Sequence, residues 1–444
     1  MTDNAPQFID NDAPVPPLIR GEAVRPRIAA PTSKTEAQQP AIIRFFAGVD
    51  VYLLTVVGIL LSISLMMVYS TTFDWGYQQY NNRAYFLVRH AQTMAIGLIA
   101  MIFFAAIDYR YLRRLALPML LAVIGALAAV LLFGDDAFGA RRGLIGGRFQ
   151  PGEAAQFVTV VYMAAWLSGK RTKIRSITYG LVPFAVLVGI IGGLVLLQPD
   201  LSTAAIIFIT AGLMFFLAGA NVFHIGIAGV GITAAAFVMI QQLSYAQDRI
   251  ATYFSGIQDL TQTNYHVQQA VLAFIRGGFF GVGLGAGRQK FGYLPAPHTD
   301  SIFASIGEEL GILGASLVLV LYAVFVFRGI VISARAKDSF GALLVIGVTI
   351  WLVSQALLNI AVMTAALPST GVPLPLVSYG GSSMTALLAG LGMMLSVSRV
   401  TARQDTPSER RTSRATTHRS GRDGGPRIPG SRRRRGGTQT SPRQ

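Results

Sequence analysis

The side chains able to do chemistry in this 444-residue chain are few, and their types narrow the options. There is no cysteine, which excludes disulfides, zinc-thiolate sites and thiol catalysis. The five histidines (90, 224, 266, 298 and 418) are scattered singly, with no HExxH and no GxxxxGK[ST], which argues against a zincin and against a P-loop ATPase. What remains is a set of carboxylates and cations beside apolar runs: Arg142, Arg148 and Glu153; Asp200 after Gln198 and Pro199; Lys290, His298 and Asp300; Glu308 and Glu309; and Ser378 and Tyr379 within GVPLPLVSYGGSS. Along a continuous helix Asp300 and Glu308 stand about 12 Å apart, too far to share a proton, so they are not an acid/base dyad. A carboxylate at mid-bilayer costs roughly 2.5–3.5 kcal/mol, so Glu308 and Glu309 read as buried partners for Arg or Lys of another helix rather than as reactive groups. Asp300 and Asp200 each read as a helix cap or as part of a site, and Arg142 and Arg148 as interfacial anchors or ligand contacts.

The elements that position these groups are apolar. Of the chain, 52% is hydrophobic and only 13% charged, and the excess lies in runs near the roughly 20 residues needed to span hydrocarbon. Spans are expected near 50–70, 88–107, 115–133, 154–168, 179–197, 201–218, 222–241, 302–327, 340–366 and 381–399. The predicted fold is thus an all-α integral membrane protein of about ten transmembrane helices, with a long extracytoplasmic loop, 242–301, between spans seven and eight. Residues 1–44 are Pro-rich and polar, lack the layout of a cleaved signal, and are expected to form a disordered cytoplasmic tail; 45–400 form the membrane domain.

From Thr401 the chain carries twelve arginines against Asp405, Glu409 and Asp423, a surplus of nine within the formal +16. This second disordered tail, 401–444, is expected to meet anionic lipid or acidic protein and not nucleic acid. With both tails cytoplasmic, Arg110, Arg113 and Arg114, Lys170 to Arg175, and Arg328 to Lys337 all fall on the cytoplasmic side, as the positive-inside rule requires. The same topology gathers 134–153, 198–201, 242–301 and 367–380 on the outer face, where a catalytic or ligand cavity should open. Within 242–301, QAVLAFI suggests a surface-lying helix. Gly281, Gly283 and Gly285 follow no strand, so close backbone packing is favoured over a dinucleotide site.

Several stretches match a known family. NIAVMTAALPSTGVPLPLVSYGGSSM (359–384), YLPAPHTDSIFASIGEELG (293–311), FQPGE (149–153) and LQPDLST (197–203) occur in the order of the SEDS signatures, and the likeness runs from about residue 50 to 400. The chain resembles the SEDS peptidoglycan glycosyltransferases (FtsW, RodA, SpoVE), and RQKFGYLP and IGEELG are nearer the FtsW, or division, wording. It departs from the pattern at Gln156 (usually Lys), Gly152 (Ser), Gly143 (Trp), Ala296 (Glu) and Ser301 (Phe).

The resemblance implies polymerisation of lipid II, with Asp300 of the H-T-D motif as general base. It also implies substrate contacts from Arg142, Arg148, Glu153, Asp200, Lys290, His298, Ser378 and Tyr379, with Arg142, Arg148 and Lys290 balancing phosphate charge. A divalent cation, magnesium or manganese, and no organic cofactor are expected. Implied partners are a class B penicillin-binding protein and other divisome membrane proteins, in the bacterial cytoplasmic membrane. A lipid II flippase and a non-catalytic divisome scaffold are the competing readings, and the sequence contains no duplicated or inverted halves of the kind transporters carry.

Overall fold

Asp50 starts the membrane domain by two interactions. Its carboxylate accepts the Leu53 N–H at 2.9 Å, capping α1 (Val51–Tyr80), and pairs with Arg328 near the far end of a later helix. The computed structural model describes residues 48–137, 140–143, 150–170, 173–242, 244–259 and 262–405. The tail 1–44 and most of the Arg-rich tail lie outside the described residues.

After α1 come α2 (Tyr85–Ala106) and α3 (Arg110–Phe133), then a short antiparallel hairpin, β1 (Asp135–Ala137) with β2 (Ala140–Gly143). Next are α4 (Pro151–Gly169), α5 (Ile177–Leu196, opening with a π-helical turn over Ile177–Leu181), α6 (Leu201–Leu217) and α7 (Val222–Gln242). Last come α8 (Ser244–Gln258), α9 (Tyr265–Gly277), α10 (Ile302–Arg335), α11 (Ser339–Met363) and α12 (Ser382–Asp405). Eight of these are long and apolar enough to cross a membrane, and α6 is a shorter apolar helix. Each of the ten expected spans falls on a helix, α4 being the short fourth one.

The core forms where α4 and α11 meet, from Val160, Val161, Met163, Ala164, Val348, Trp351 and Leu352, all 1% exposed or less. Around it α11 packs on α6, α10 and α12, and α12 lies along α2. At its centre the Gln156 carbonyl accepts from the Trp351 indole N–H and from Gln355 Nε2 at 2.8 Å. The position where the family pattern has lysine is therefore a buried hydrogen-bond hub.

The long segment 242–301 between the seventh and eighth spans holds two helices, α8 and α9. Moreover α9, which contains QAVLAFI, packs on α10 so closely that a Cβ at Gly277 would overlap the Gly307 carbonyl. Within α10 the helix breaks at Gly311, which is non-helical (φ 68°, ψ −169°). The break strands backbone groups that lipid cannot satisfy, and residues 278–283 take them up. Val282 N–H donates to Glu308 O (3.0 Å) and Gly283 N–H to Glu309 O (3.1 Å), while Ile312 N–H donates to Gly278 O (2.9 Å) and Leu313 N–H to Phe279 O (3.2 Å).

Gly281 sits in the left-handed region (φ 81°), and a Cβ there would overlap the Glu309 carbonyl. Gly281→Ala is therefore expected to lower stability by about 1–3 kcal/mol. Gly226→Ala, where a Cβ meets nothing within 4 Å, should leave it within error, both read as thermal unfolding midpoints in detergent.

Candidate active site

Two irregular segments, 290–301 before α10 and 364–381 between α11 and α12, are laced together mainly through backbone groups. Tyr379 N–H donates to His298 O (2.8 Å), and Ser378 Oγ donates to Thr299 O (2.6 Å) while accepting Leu374 N–H (2.8 Å). From α11, Asn359 Nδ2 donates to both Asp300 O (2.6 Å) and Val372 O (2.7 Å), one from each segment. Ser301, where the family pattern has Phe, donates to Pro295 O (2.6 Å) and meets His266 Nε2 at 2.5 Å, tying the turn to α9. These bonds fix the backbone of Asp300 from three sides.

The Asp300 carboxylate lies against Gly371, whose Cβ, if it had one, would stand 3.3 Å from Oδ2. Gly371 is also left-handed (φ 73°), so glycine is needed there for both space and conformation. Burial pushes the Asp300 carboxyl up to about 6, and the Arg249 guanidinium of α8 opposes that shift. Helix-end stabilisation of the ionised form, the effect expected from its place before α10, is thus not the dominant one. Ser301 rather than Asp300 is the cap residue of α10. Arg249 also donates to Ser369 O (3.2 Å), beside Gly371. Sequence reasoning missed it because α8 read as loop, where one arginine carries no spacing signal.

A second acidic group adjoins the first through the same loop. Ser202 Oγ donates to Thr370 O (2.6 Å), and Asp200 caps α6 by accepting Thr203 N–H (3.2 Å) and Oγ1–H (2.8 Å). Glu153, in the first turn of α4, has Asp200 and the hydroxyls of Ser382 and Ser383 as electrostatic neighbours. Its Oε2 is buried with no hydrogen-bond partner among the described residues. At Gly152 a Cβ would already touch Thr203 Cγ2 at 3.4 Å. No group of three or more His, Cys, Asp and Glu able to hold a metal occurs among the described residues. The orphaned Glu153 oxygen beside Asp200 nevertheless suits a hard cation held by one or two carboxylates whose shell phosphate completes.

The remaining expected residues lie elsewhere. Lys290 is engaged: its Nζ meets Glu309 Oε1 at 2.6 Å and Ser70 Oγ at 3.1 Å, inside the protein. Glu309 Oε2 accepts from Ser70 Oγ (2.5 Å) and Gly285 N–H (3.0 Å), and Glu308 accepts the amides of Arg288 (2.9 Å) and Gln289 (3.2 Å). The two glutamates are thus buried and grip the 285–290 turn, their partners coming from that turn and α1 and not from a distant basic helix. The His298 ring sits among Trp75 (5.2 Å) and Tyr379 (5.6 Å). Arg142 belongs to β2, and Arg148 lies outside the described residues.

A family model described as "Cell cycle protein", covering FtsW, RodA and SpoVE, matches residues 51–403. The chain belongs to the FtsW/RodA/SpoVE family. Among its SEDS relatives, stage V sporulation protein E of Bacillus subtilis is 36% identical over 79% of this chain and 97% of its own length. A probable peptidoglycan glycosyltransferase FtsW of Trichlorobacter lovleyi is 36% identical over 79% of this chain and 93% of its own. Of solved structures, one reported as "Structural coordination of polymerization and crosslinking by a peptidoglycan synthase complex" aligns with TM-score 0.64 and 26% identity, over 80% of this chain and 98% of that one. Rod shape determining protein RodA of Thermus thermophilus aligns at 0.59 with 27% identity, over 79% and 97%. This SEDS protein is accordingly a multi-pass membrane protein.

Removing one partner of the Lys290–Glu309 pair leaves a buried charge, so Lys290→Met or Glu309→Gln alone is expected to cost about 3–5 kcal/mol. The double variant should recover part of that loss in the same detergent unfolding assay.

Proposed function

We infer that the protein is a peptidoglycan glycosyltransferase that polymerises lipid II in septal wall synthesis, with Asp300 as general base. The observation that carries this reading is the partly buried Asp300 carboxylate, its acid constant raised to about 6, which faces Gly371 near Arg249 on a backbone whose carbonyl Asn359 holds. The names of the FtsW relatives support the activity and the division branch.

A base of this strength is ionised at neutral pH yet takes a proton more readily than an exposed aspartate. In the proposed step, Asp300 accepts the proton of the acceptor sugar's 4-hydroxyl. The alkoxide oxygen then bonds to the anomeric carbon of the donor, and the bond to the undecaprenyl diphosphate breaks with its electron pair. One displacement inverts the anomeric centre, α to β, so a second close carboxylate acting as nucleophile is not required. The leaving diphosphate needs positive charge. With Lys290 engaged by Glu309, Arg249 is the described cation beside the base, and Arg142 and Arg148 remain candidates from the segment before α4. Glu153 and Asp200 would hold a divalent cation, which when bound neutralises phosphate charge.

The arrangement of the two ends supports an outward-facing site. Residues near the start of α1, the end of α2 and the end of α12 meet at one end through Ser398 Oγ to Gly48 O (3.1 Å), Arg399 Nη2 to Ala106 O (2.6 Å) and the Asp50–Arg328 pair. That end carries the Arg-rich loops and is assigned to the cytoplasm; Asp300, Gly371 and Asp200 lie at the other. The synthase complex among the similar structures supports a crosslinking partner, a class B penicillin-binding protein, together with other divisome membrane proteins. The bacterial cytoplasmic membrane and cytoplasmic termini complete the reading.

Purified lipid II in detergent tests it, because polymerisation there needs no transbilayer movement and a flippase or bare scaffold makes no glycan. Asp300→Asn should lose about 100-fold or more in rate while unfolding no earlier than wild type, since it removes a buried charge. A variant as active as wild type sinks the assignment. The rate should also rise with pH through about 6 and then level off, because the base works only when ionised and its carboxyl is held up to that value. A rate flat from pH 5 to 8 would contradict it.

A further inference from the structure

Between the 290–298 segment and the last turns of α1 lies a cavity of about 570 Å³. Its volume is within the roughly 300–1,000 Å³ that small-ligand sites occupy. Ser70 stands nineteen residues beyond Val51, so this part of α1 lies about 29 Å along the helix axis. Hydrocarbon is about 30 Å thick. The cavity is therefore at the water boundary, at the same end of the bundle as Asp300.

Its lining combines aromatic faces with neutral or acidic polar groups. Trp75 and Phe291 remain 40% and 46% exposed, and Trp75 is held rigid by stacking on Phe86 at 4.3 Å. Gln78 Nε2 donates to Asp74 Oδ2 at 2.7 Å, so an amide and a carboxylate stand side by side one helical turn apart. The residues lining the cavity that can carry positive charge are Lys290 and His298. Lys290 is neutralised by Glu309 at 2.6 Å, and burial holds His298 down to about 4, uncharged at neutral pH. A diphosphate would meet the Asp74 carboxylate with no available cation to offset it. Sugar rings offer what these walls complement: apolar C–H faces for Trp75 and Phe291, and hydroxyls and acetamides for Asp74, Gln78 and His298.

We propose that this cavity is a saccharide subsite that holds the uncharged sugar rings of the glycan beside the Asp300 turn, separate from the groups that meet the diphosphate. It rests on the glycosyltransferase reading for its substrate, and its geometry stands apart from Asp300. His298 lines the cavity and is two residues from Asp300, so the cavity adjoins the turn that carries the base.

Binding of an N-acetylglucosamine tetramer to the full chain in detergent, followed by ligand-observed NMR, tests the subsite without requiring catalysis. Wild type and Asp300→Asn should bind alike. Trp75→Ala should bind at least ten-fold more weakly, and Asp74→Ala and Gln78→Ala, on the exposed end of α1, should each weaken binding several-fold with unchanged unfolding midpoints. In lipid II polymerisation Trp75→Ala should raise KM more than it lowers kcat. Tetramer binding that survives Trp75→Ala, or that inorganic diphosphate displaces, overturns the proposal. So does a wild-type protein that polymerises lipid II but does not bind the tetramer, a result that leaves the glycosyltransferase reading standing. Tetramer binding without polymerisation would fault that reading instead.

Discussion

Inside hydrocarbon no water is present to satisfy a peptide group, so every departure from helix in this bundle has to be matched by another piece of backbone. The break at Gly311 is where that constraint bites hardest. Carbonyls of Glu308 and Glu309 and amides of Ile312 and Leu313 lose their helical partners, and the 278–283 segment replaces them one for one. The glutamate side chains then reach past the break to hold the 285–290 turn and Lys290. That anchored turn leads directly into residues 290–301, so the position of Asp300 is inherited from the repair of a broken helix.

The same economy governs the other wall of the site. Asn359 bonds two carbonyls from segments distant in sequence, and Ser378 both donates to Thr299 O and accepts Leu374 N–H. Neither side chain has to touch a substrate for its loss to matter, because each sets the separation between the Asp300 turn and Gly371. Asp300 itself is left with its carboxylate against Gly371, where no side chain intervenes. The Asp300 turn is positioned largely by neutral donors to backbone, while Arg249, which also bonds Ser369 O, opposes the effect of burial on the Asp300 carboxyl.

Much of this was legible in the residues. Ten apolar runs gave ten helices, because span length is a property of composition alone. The HTD and VSYGG segments, both expected on the outer face, are joined by the Tyr379 N–H to His298 O bond. The burial of Glu308 and Glu309 also followed from the cost of a carboxylate in lipid, although their partners did not. Other features carried no periodic signal. The discontinuity at Gly311 looks in sequence like any glycine in an apolar run, and Arg249 lies on a helix too polar to read as a span. Lys290 seemed available for phosphate because nothing in its neighbourhood announces that Glu309, nineteen residues on, folds back to meet it.

The Gln156 hub also constrains which side chains this position can accept. An indole N–H can only donate, so Trp351 obliges whatever stands at 156 to present an acceptor, and Gln355 adds a second donor to the same oxygen. A lysine ammonium has three donors and no acceptor. Lysine at this point would be set against two groups of like polarity in a buried interior. The three residues thus form a compatibility set: a side chain without an acceptor fits at 156 only if Trp351 and Gln355 change in step with it.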